Sequence, residues 1–371
     1  MMKLKVLDQL NDKRRISSID VYRSLAIIVV VIFHFNQKAT HQIGIFREFY
    51  LGVDMFLVIS GLLVGGLLKK QYDNGTPINF LKFVLQRGFK IWPSYYSFLL
   101  LGSLVAYLFY HITYPSQIIP LSDLKRYVFF YLNYTGAPYH WSFDHLWSLC
   151  VEEHFYILLP IMYIVIQRAI PKVYQNRALF IAVALTILAG IVFKFISYYF
   201  TRGQDTYAGT HNRLDALAWG VMLNLLIGEY GDTLKASRYT ILFFWAGVLL
   251  FACVIYLDLY IGGVFIDILT LYSFTSFCFF LMLLGTYYVD LSSWKPLRFV
   301  AYYSYNWYLW HPVFAIYISA HIQSYWIGMI VFAFLSFTVA MIATILIEEP
   351  FLERRKFFLD KIFKKGVVPF S

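Results

Sequence analysis

The sequence predicts an all-α, polytopic membrane protein of about ten transmembrane helices around a polar cavity. Three observations carry this. The 371 residues are 60% hydrophobic and 20% aromatic but only 14% charged, a balance foreign to soluble domains of this size. The apolar residues come in long runs with polar punctuation and without the alternation of barrel strands. The basic excess, +10 overall, is concentrated in alternate connecting segments.

In chain order the runs place spans near 19–36, 50–68, 91–112, 145–166, 179–200, 212–228, 240–257, 267–289, 305–320 and 326–347. The first apolar run, Ile19–Phe35, follows Lys3, Lys5, Lys13, Arg14 and Arg15 and lacks a small-residue cleavage site after it, so it reads as a retained signal anchor. With the N-terminus inside, Lys69, Lys70, Lys82, Arg87 and Lys90 fall on the same side. So do Arg168, Lys172, Arg177, Lys235, Arg238, Lys295, Arg298 and the tail's Arg354, Arg355, Lys356, Lys361, Lys364 and Lys365. The outer loops hold Lys38, Arg47, Lys125, Arg126, Arg202 and Arg213. By the positive-inside rule both termini are cytoplasmic, and the basic excess encodes orientation, not nucleic-acid affinity.

The expected organisation is a cytoplasmic segment 1–18, one membrane domain 19–347, and a basic tail 348–371. Within the tail, Glu353–Ser371 alternates basic and aromatic residues and reads as an interfacial amphipathic helix, or alternatively a substrate-binding arm. The longest extramembrane stretch, His111–Asp144, is rich in Tyr, Trp and Pro and is expected to pack on the outer face as a lid or re-entrant piece. Cys150, Cys253 and Cys278 lie in spans without CxxC or ligand spacing, which implies neither a disulfide framework nor a metal site.

The spans contain many ionisable residues: Arg23, His34, Asp54, Glu152, Glu153, His154, Asp215, Asp267 and His311. Such groups in a bilayer face a polar interior and pair with one another. Arg23 and His34 are eleven residues apart, three helical turns, so they share a face to within about 20° and stand about 16 Å apart along it.

Arg23-x10-His34 resembles the signature of the acyltransferase-3 family of integral membrane enzymes. Gly52-Val-Asp-Met-Phe-Leu-Val-Ile-Ser-Gly61-Leu-Leu is similar to that family's GVDxFFxxSGFL element, and Gln86-Arg87-Gly-Phe-Lys90-Ile-Trp-Pro93 to its RxxRIxP loop, with Lys90 in place of Arg. Trp147-Ser148-Leu-Cys-Val-Glu152-Glu153-His154-Phe-Tyr156 resembles WSLxVEExFY, with His154 in place of Gln. Thr210-His-Asn-Arg213-Leu-Asp215, Ser304-Tyr-Asn-Trp-Tyr308-Leu-Trp-His311-Pro312 and Glu348-Glu349-Pro350 complete the series. The seven elements follow the family's order and cover residues 15 to 352.

The resemblance implies transfer of an acyl group, most often acetyl, from cytoplasmic acyl-CoA to a hydroxyl of an extracytoplasmic glycan such as O-antigen or exopolysaccharide. The setting it implies is a bacterial inner membrane. Some relatives carry a fused extracytoplasmic esterase-like domain, for which this chain is too short. The chemistry needs a base for the hydroxyl proton, donors for the oxyanion and cations for the coenzyme's phosphates. His34 is the candidate base, or else a cap at the outer end of its span. Arg23 either contacts phosphate or pantetheine or snorkels to lipid headgroups. Arg87 and Lys90, three apart just before a span, share a face and combine membrane anchoring with donor binding; lysine keeps the charge but loses arginine's fork.

Asp54 either orients His34 or pairs with an arginine, and Ser60-Gly61 is expected to allow close helix packing. His145, Ser148 and Glu152 share one face, as an acceptor-side cluster or as a structural polar stripe; the motif leaves open whether Glu152 or Glu153 faces inward. Arg213 and Asp215 are expected to pair with each other, and His311 sits before a helix-interrupting Pro312. The competing reading is a transporter for a glycan or small solute, although the paired broken helices of related halves are not evident.

Overall fold

The computed structural model describes residues 5–12, 15–111, 118–134, 140–201, 207–261 and 271–364. Asp267, and the basic residues Lys3, Lys13, Arg14, Arg202 and Lys365, lie outside the described residues. The described residues form helices and connecting turns, without strands. The helices are α1 Lys5–Asn11, α2 Ser17–Lys38, α3 Gly52–Asp73, α4 Phe80–Tyr110, α5 Leu121–Val128, α6 Trp141–Asp144 and α7 Trp147–Ala169. They continue with α8 Lys172–Thr201, α9 Thr210–Ala236, α10 Thr240–Tyr260, α11 Leu271–Thr286, α12 Lys295–His321, α13 Tyr325–Ala343 and α14 Glu349–Lys364.

Among the described residues, seven helical stretches are long and apolar enough to cross a membrane. The other three expected spans are occupied by α9 and α12, which are long but more polar, and by α11, which is shorter. The polarity of α9 and α12 has a physical reason: Asn212, Arg213, Asp215, Ser304, Asn306 and His311 are buried against other helices. The outward faces of the bundle are apolar instead, with Leu100, Leu104, Leu185, Leu249 and Phe334 exposed.

The centre is built by α2, α3, α9 and α12. α3 lies against α9 closely enough that a Cβ at Gly61 would strike the Leu217 carbonyl and one at Gly220 the Val58 carbonyl. Small residues are what permit such backbone approach between membrane helices. α2 packs along α12, whereas α10 sits on the periphery against α11. The stretch His111–Asp144 contains α5, a 3-10 turn at Leu132–Tyr134, and α6. It is tied down by Tyr95 Oη donating to the Tyr127 carbonyl (2.7 Å) and by Asn133 Nδ2 donating to Thr210 Oγ1 (2.8 Å). Residues 112–117 and 135–139 of it are not among the described residues.

Candidate active site

A cavity of about 240 Å³ lies between α2, α3, α4, α7, α12 and α14, and it gathers residues from most of the motifs. Arg23, Ser60, Arg87, Lys90, Ser148, Glu152, Ser304 and Tyr308 line it, together with Tyr156, Tyr305 and Arg355. The helical registers explain the grouping. Ser148, Glu152 and Tyr156 are spaced by four on α7, and Ser304 and Tyr308 by four on α12, so each set forms one stripe. The α7 and α12 stripes run from the end bearing Arg87 and Lys90 toward the end bearing His145.

Inside the cavity Tyr156 is the hub. Its hydroxyl donates to Glu152 Oε2 (2.7 Å) and lies 2.6 Å from Ser60 Oγ and 3.2 Å from Arg87 Nη2, which donates to it. The Arg87 guanidinium also stands 4.8 Å from the Tyr156 ring centroid, within cation–π range. Arg87 Nε is buried without a partner among the described residues, so one donor is left over. Lys90 Nζ donates to Glu348, which a π-helical turn at Thr344–Glu348 turns inward; Asn306 Nδ2 donates to the same carboxylate (2.7 Å). Arg23 Nη2 donates to the neutral Ser304 Oγ (3.1 Å).

Several expectations are altered by this placement. The helix carrying Arg87 and Lys90 starts earlier than the span expected near 91: α4 begins at Phe80, and both residues sit within it. Glu152 and Glu153 diverge, as neighbouring helical residues must. Glu152 faces the cavity, while Glu153 accepts from Trp92 Nε1 (3.1 Å). Ser60 does line the cavity, and next to it Gly61 provides the close contact with α9.

His34 is not among the cavity residues. It is half-buried beyond the far end, in a group of imidazoles with His311 and His145. His311 Nε2 lies 3.1 Å from His34 Nδ1, and the His145 ring centroid is 6.4 Å from that of His34 and 5.6 Å from that of His311. His311 Nδ1 is 3.0 Å from the Trp307 carbonyl, which fixes its hydrogen there and leaves a lone pair on Nε2. His34 Nδ1, 2.9 Å from the Val30 carbonyl and facing that lone pair, then carries the hydrogen in the neutral pair. His34 Nε2 is therefore the nitrogen with a lone pair to accept a proton.

One layer of side chains separates these imidazoles from the cavity. Tyr308 Oη donates to the His145 carbonyl (2.7 Å) and lies 2.7 Å from Ser148 Oγ, which itself donates to that carbonyl (3.1 Å). His145 Nε2 donates in turn to the Leu309 carbonyl (3.1 Å), beside the interruption that Pro312 makes in α12. Trp141 and Phe33 close in on His34 from its other sides, with ring centroids 5.9 and 5.0 Å away.

Asp54 and Arg213 lie outside the cavity. Arg213 Nη2 donates to Asp54 Oδ1 (2.5 Å), which also accepts from Ser276 Oγ (3.1 Å), so Asp54 is placed with an arginine and not beside His34. Arg213 and Asp215 do not pair with each other: Lys194 Nζ, fully buried on α8, donates to Asp215 Oδ2 (2.5 Å). Residues two apart on a helix point to nearly opposite sides, which is why the adjacent pair separates. Sequence reasoning passed over Tyr156, Tyr308, Ser304 and Arg355. The first three stand inside quoted motifs, Tyr156 four residues after Glu152 and Tyr308 and Ser304 three and seven before His311, helical spacings that could have found them; Arg355 stands out only as one basic residue of the tail.

The sequence model of the acyltransferase domain family, acyltransferase-3, matches residues 16–349, and the chain belongs to that family. A Staphylococcus aureus protein named "Putative O-acetyltransferase" is 29% identical over 334 residues, covering 84% of this chain and 52% of its own length. Bacillus subtilis YrhL, named "Putative peptidoglycan O-acetyltransferase", is 30% identical over 327 residues, 80% of this chain and 48% of its own. O-acetyltransferase OatA of Staphylococcus aureus is 27% identical over 346 residues, 85% of this chain and 53% of its own. The chain thus spans about half the length of the curated relatives it matches. No solved structure matches it significantly.

Proposed function

We propose that this protein transfers an acetyl or similar acyl group from cytoplasmic acyl-CoA to a hydroxyl of an envelope glycan, with ten helices crossing the bilayer and both termini in the cytoplasm. The observation that carries the reading is the cavity itself. It is lined by Arg23, Arg87 and Lys90 and ends at Ser148 and Tyr308; the Tyr308 ring stands 5.9 Å from that of His311, whose Nε2 meets His34. In this reading the three cations hold the coenzyme's phosphates and pantetheine amides, and the thioester reaches the Tyr308 end. His34 Nε2 takes the proton of the acceptor hydroxyl, whose oxygen attacks the thioester carbonyl. The carbon–sulfur bond breaks, and the proton passes to the departing coenzyme thiolate. Ser148 and Tyr308 stand at that end with their hydroxyl hydrogens on the His145 carbonyl, from which either would have to turn to meet the oxyanion; His311 and His145 position the base, and Glu152 with Tyr156 relays or tunes protons. The names of the relatives, all O-acetyltransferases and one of them for peptidoglycan, support an acceptor in the cell envelope.

The test is release of free coenzyme A from acetyl-CoA by the purified protein with a glycan acceptor. His34→Ala is expected to lower the rate about 10²- to 10⁴-fold, the usual worth of general-base catalysis, with elution and melting unchanged. Full activity in that variant would remove the assigned base. A wild-type protein that moves solute without any acyl-CoA would favour the transporter reading instead.

A further inference from the structure

We propose that Arg355 on α14 is the outermost phosphate-binding residue of the donor cavity, and that it selects thioesters carrying a phosphorylated nucleotide over bare pantetheine thioesters. This rests on the donor-site reading above. Arg355 joins the cavity lining from α14, the helix that follows α13 and the Thr344–Glu348 turn, together with Arg87 and Lys90 of α4.

α14 is held in place by contacts that leave this arginine to the cavity. Phe358 stacks on Phe89 of α4 with ring centroids 5.8 Å apart, and Leu359 is buried. The acids of its first turns are engaged elsewhere: Glu349 accepts from Tyr302 Oη (2.6 Å) and pairs with Lys5 (3.5 Å), and Lys5 also pairs with Glu353. Arg355 and Arg87 are near enough to act on each other's charge. Of the cavity's acidic side chains, Glu152 already accepts from Tyr156, and Lys90 is matched by Glu348 from outside the lining. Two guanidiniums left facing one space form a site for a multivalent anion, and their planar donor forks suit phosphate.

Size fixes which part of the ligand sits there. At about 240 Å³ the cavity is below the 300–1,000 Å³ that encloses a drug-sized ligand, so a nucleotide and its pantetheine arm do not both fit. The arm goes in and the phosphorylated nucleotide stays at the mouth, where the exposed Arg355 stands.

The experiment compares acetyl-CoA with S-acetylpantetheine, which lacks phosphates, on the full-length protein in detergent or liposomes. Arg355→Glu is expected to raise KM for acetyl-CoA about tenfold or more, the scale of a lost charge-assisted hydrogen bond, with kcat unchanged. Its kinetics with S-acetylpantetheine should stay at the wild-type level. Arg355→Lys should recover part of the acetyl-CoA affinity, and Arg354→Glu, one residue away and outside the cavity lining, should leave both donors unaffected. The proposal fails if Arg355→Glu leaves the acetyl-CoA KM within about twofold, or impairs both donors equally, as a purely structural role would. A wild-type protein that cleaves neither thioester overturns the donor reading and this one together; an active wild type indifferent to position 355 overturns only this one.

Discussion

Two clusters of charge sit inside this bundle, and they are built on opposite principles. Around α9, Arg213 with Asp54 and Lys194 with Asp215 form two ion pairs whose residues are each 0–1% exposed. In the cavity, Arg23 and Arg87 donate to neutral hydroxyls, and water-sized space adjoins them. A charge taken out of water is tolerated only beside an opposite one, which describes the first cluster. The second pairs Lys90 with Glu348 but gives the Arg23 and Arg87 guanidiniums no direct carboxylate partner, so their charge is left to be met from outside. The contrast separates what holds helices together from what holds a ligand, although both clusters use the same residue types.

The largest expected effect comes from breaking the dry cluster. Asp54→Ala strands a buried guanidinium and should cost about 3–5 kcal/mol, seen as lost folded protein on size-exclusion in detergent. The double variant Asp54→Leu, Arg213→Met should regain much of that, since it removes both charges at once. If the single variant is as stable as wild type, α9 does not depend on this pair. Next comes Arg87→Ala: the protein should fold and melt near the wild-type temperature while KM for acyl-CoA rises about tenfold or more. A collapse of stability there would erase the contrast between the clusters. The smallest effect belongs to Ser60→Ala, which removes one hydrogen bond to Tyr156 and should cost about 0.5–1.5 kcal/mol of thermal stability. A larger loss would place Tyr156, and with it Glu152 and Arg87, under tighter structural control than the geometry implies.

The part of this site that sequence made legible is the part that lies along single helices. Arg23 and His34 share a face of α2 because eleven residues is three turns, and both do turn inward, to Ser304 and His311. Ser148 and Glu152 share the cavity for the same reason. The pairing of Arg213 with Asp215 misjudged that rule, since a spacing of two separates side chains on a helix. The partners they take are 159 and 21 residues away. The resemblance marked Arg87 and Lys90 as donor ligands but left the tail helix divided between membrane interface and substrate arm; α14 packs on α4 and sends Arg355 to the cavity.

The amino-acid sequence alone determined the helical class, the approximate positions of the spans and the family, because burial in lipid forces apolar runs and helical hydrogen bonding, and because the motifs are local. Only the tertiary structure decided which charges neutralise each other and which face open space. It brought His311 to His34 across 277 residues and interposed Tyr308 between imidazole and cavity. Those choices follow from how α2, α3, α9 and α12 rotate and pack against one another, and no periodicity along a single helix contains that information.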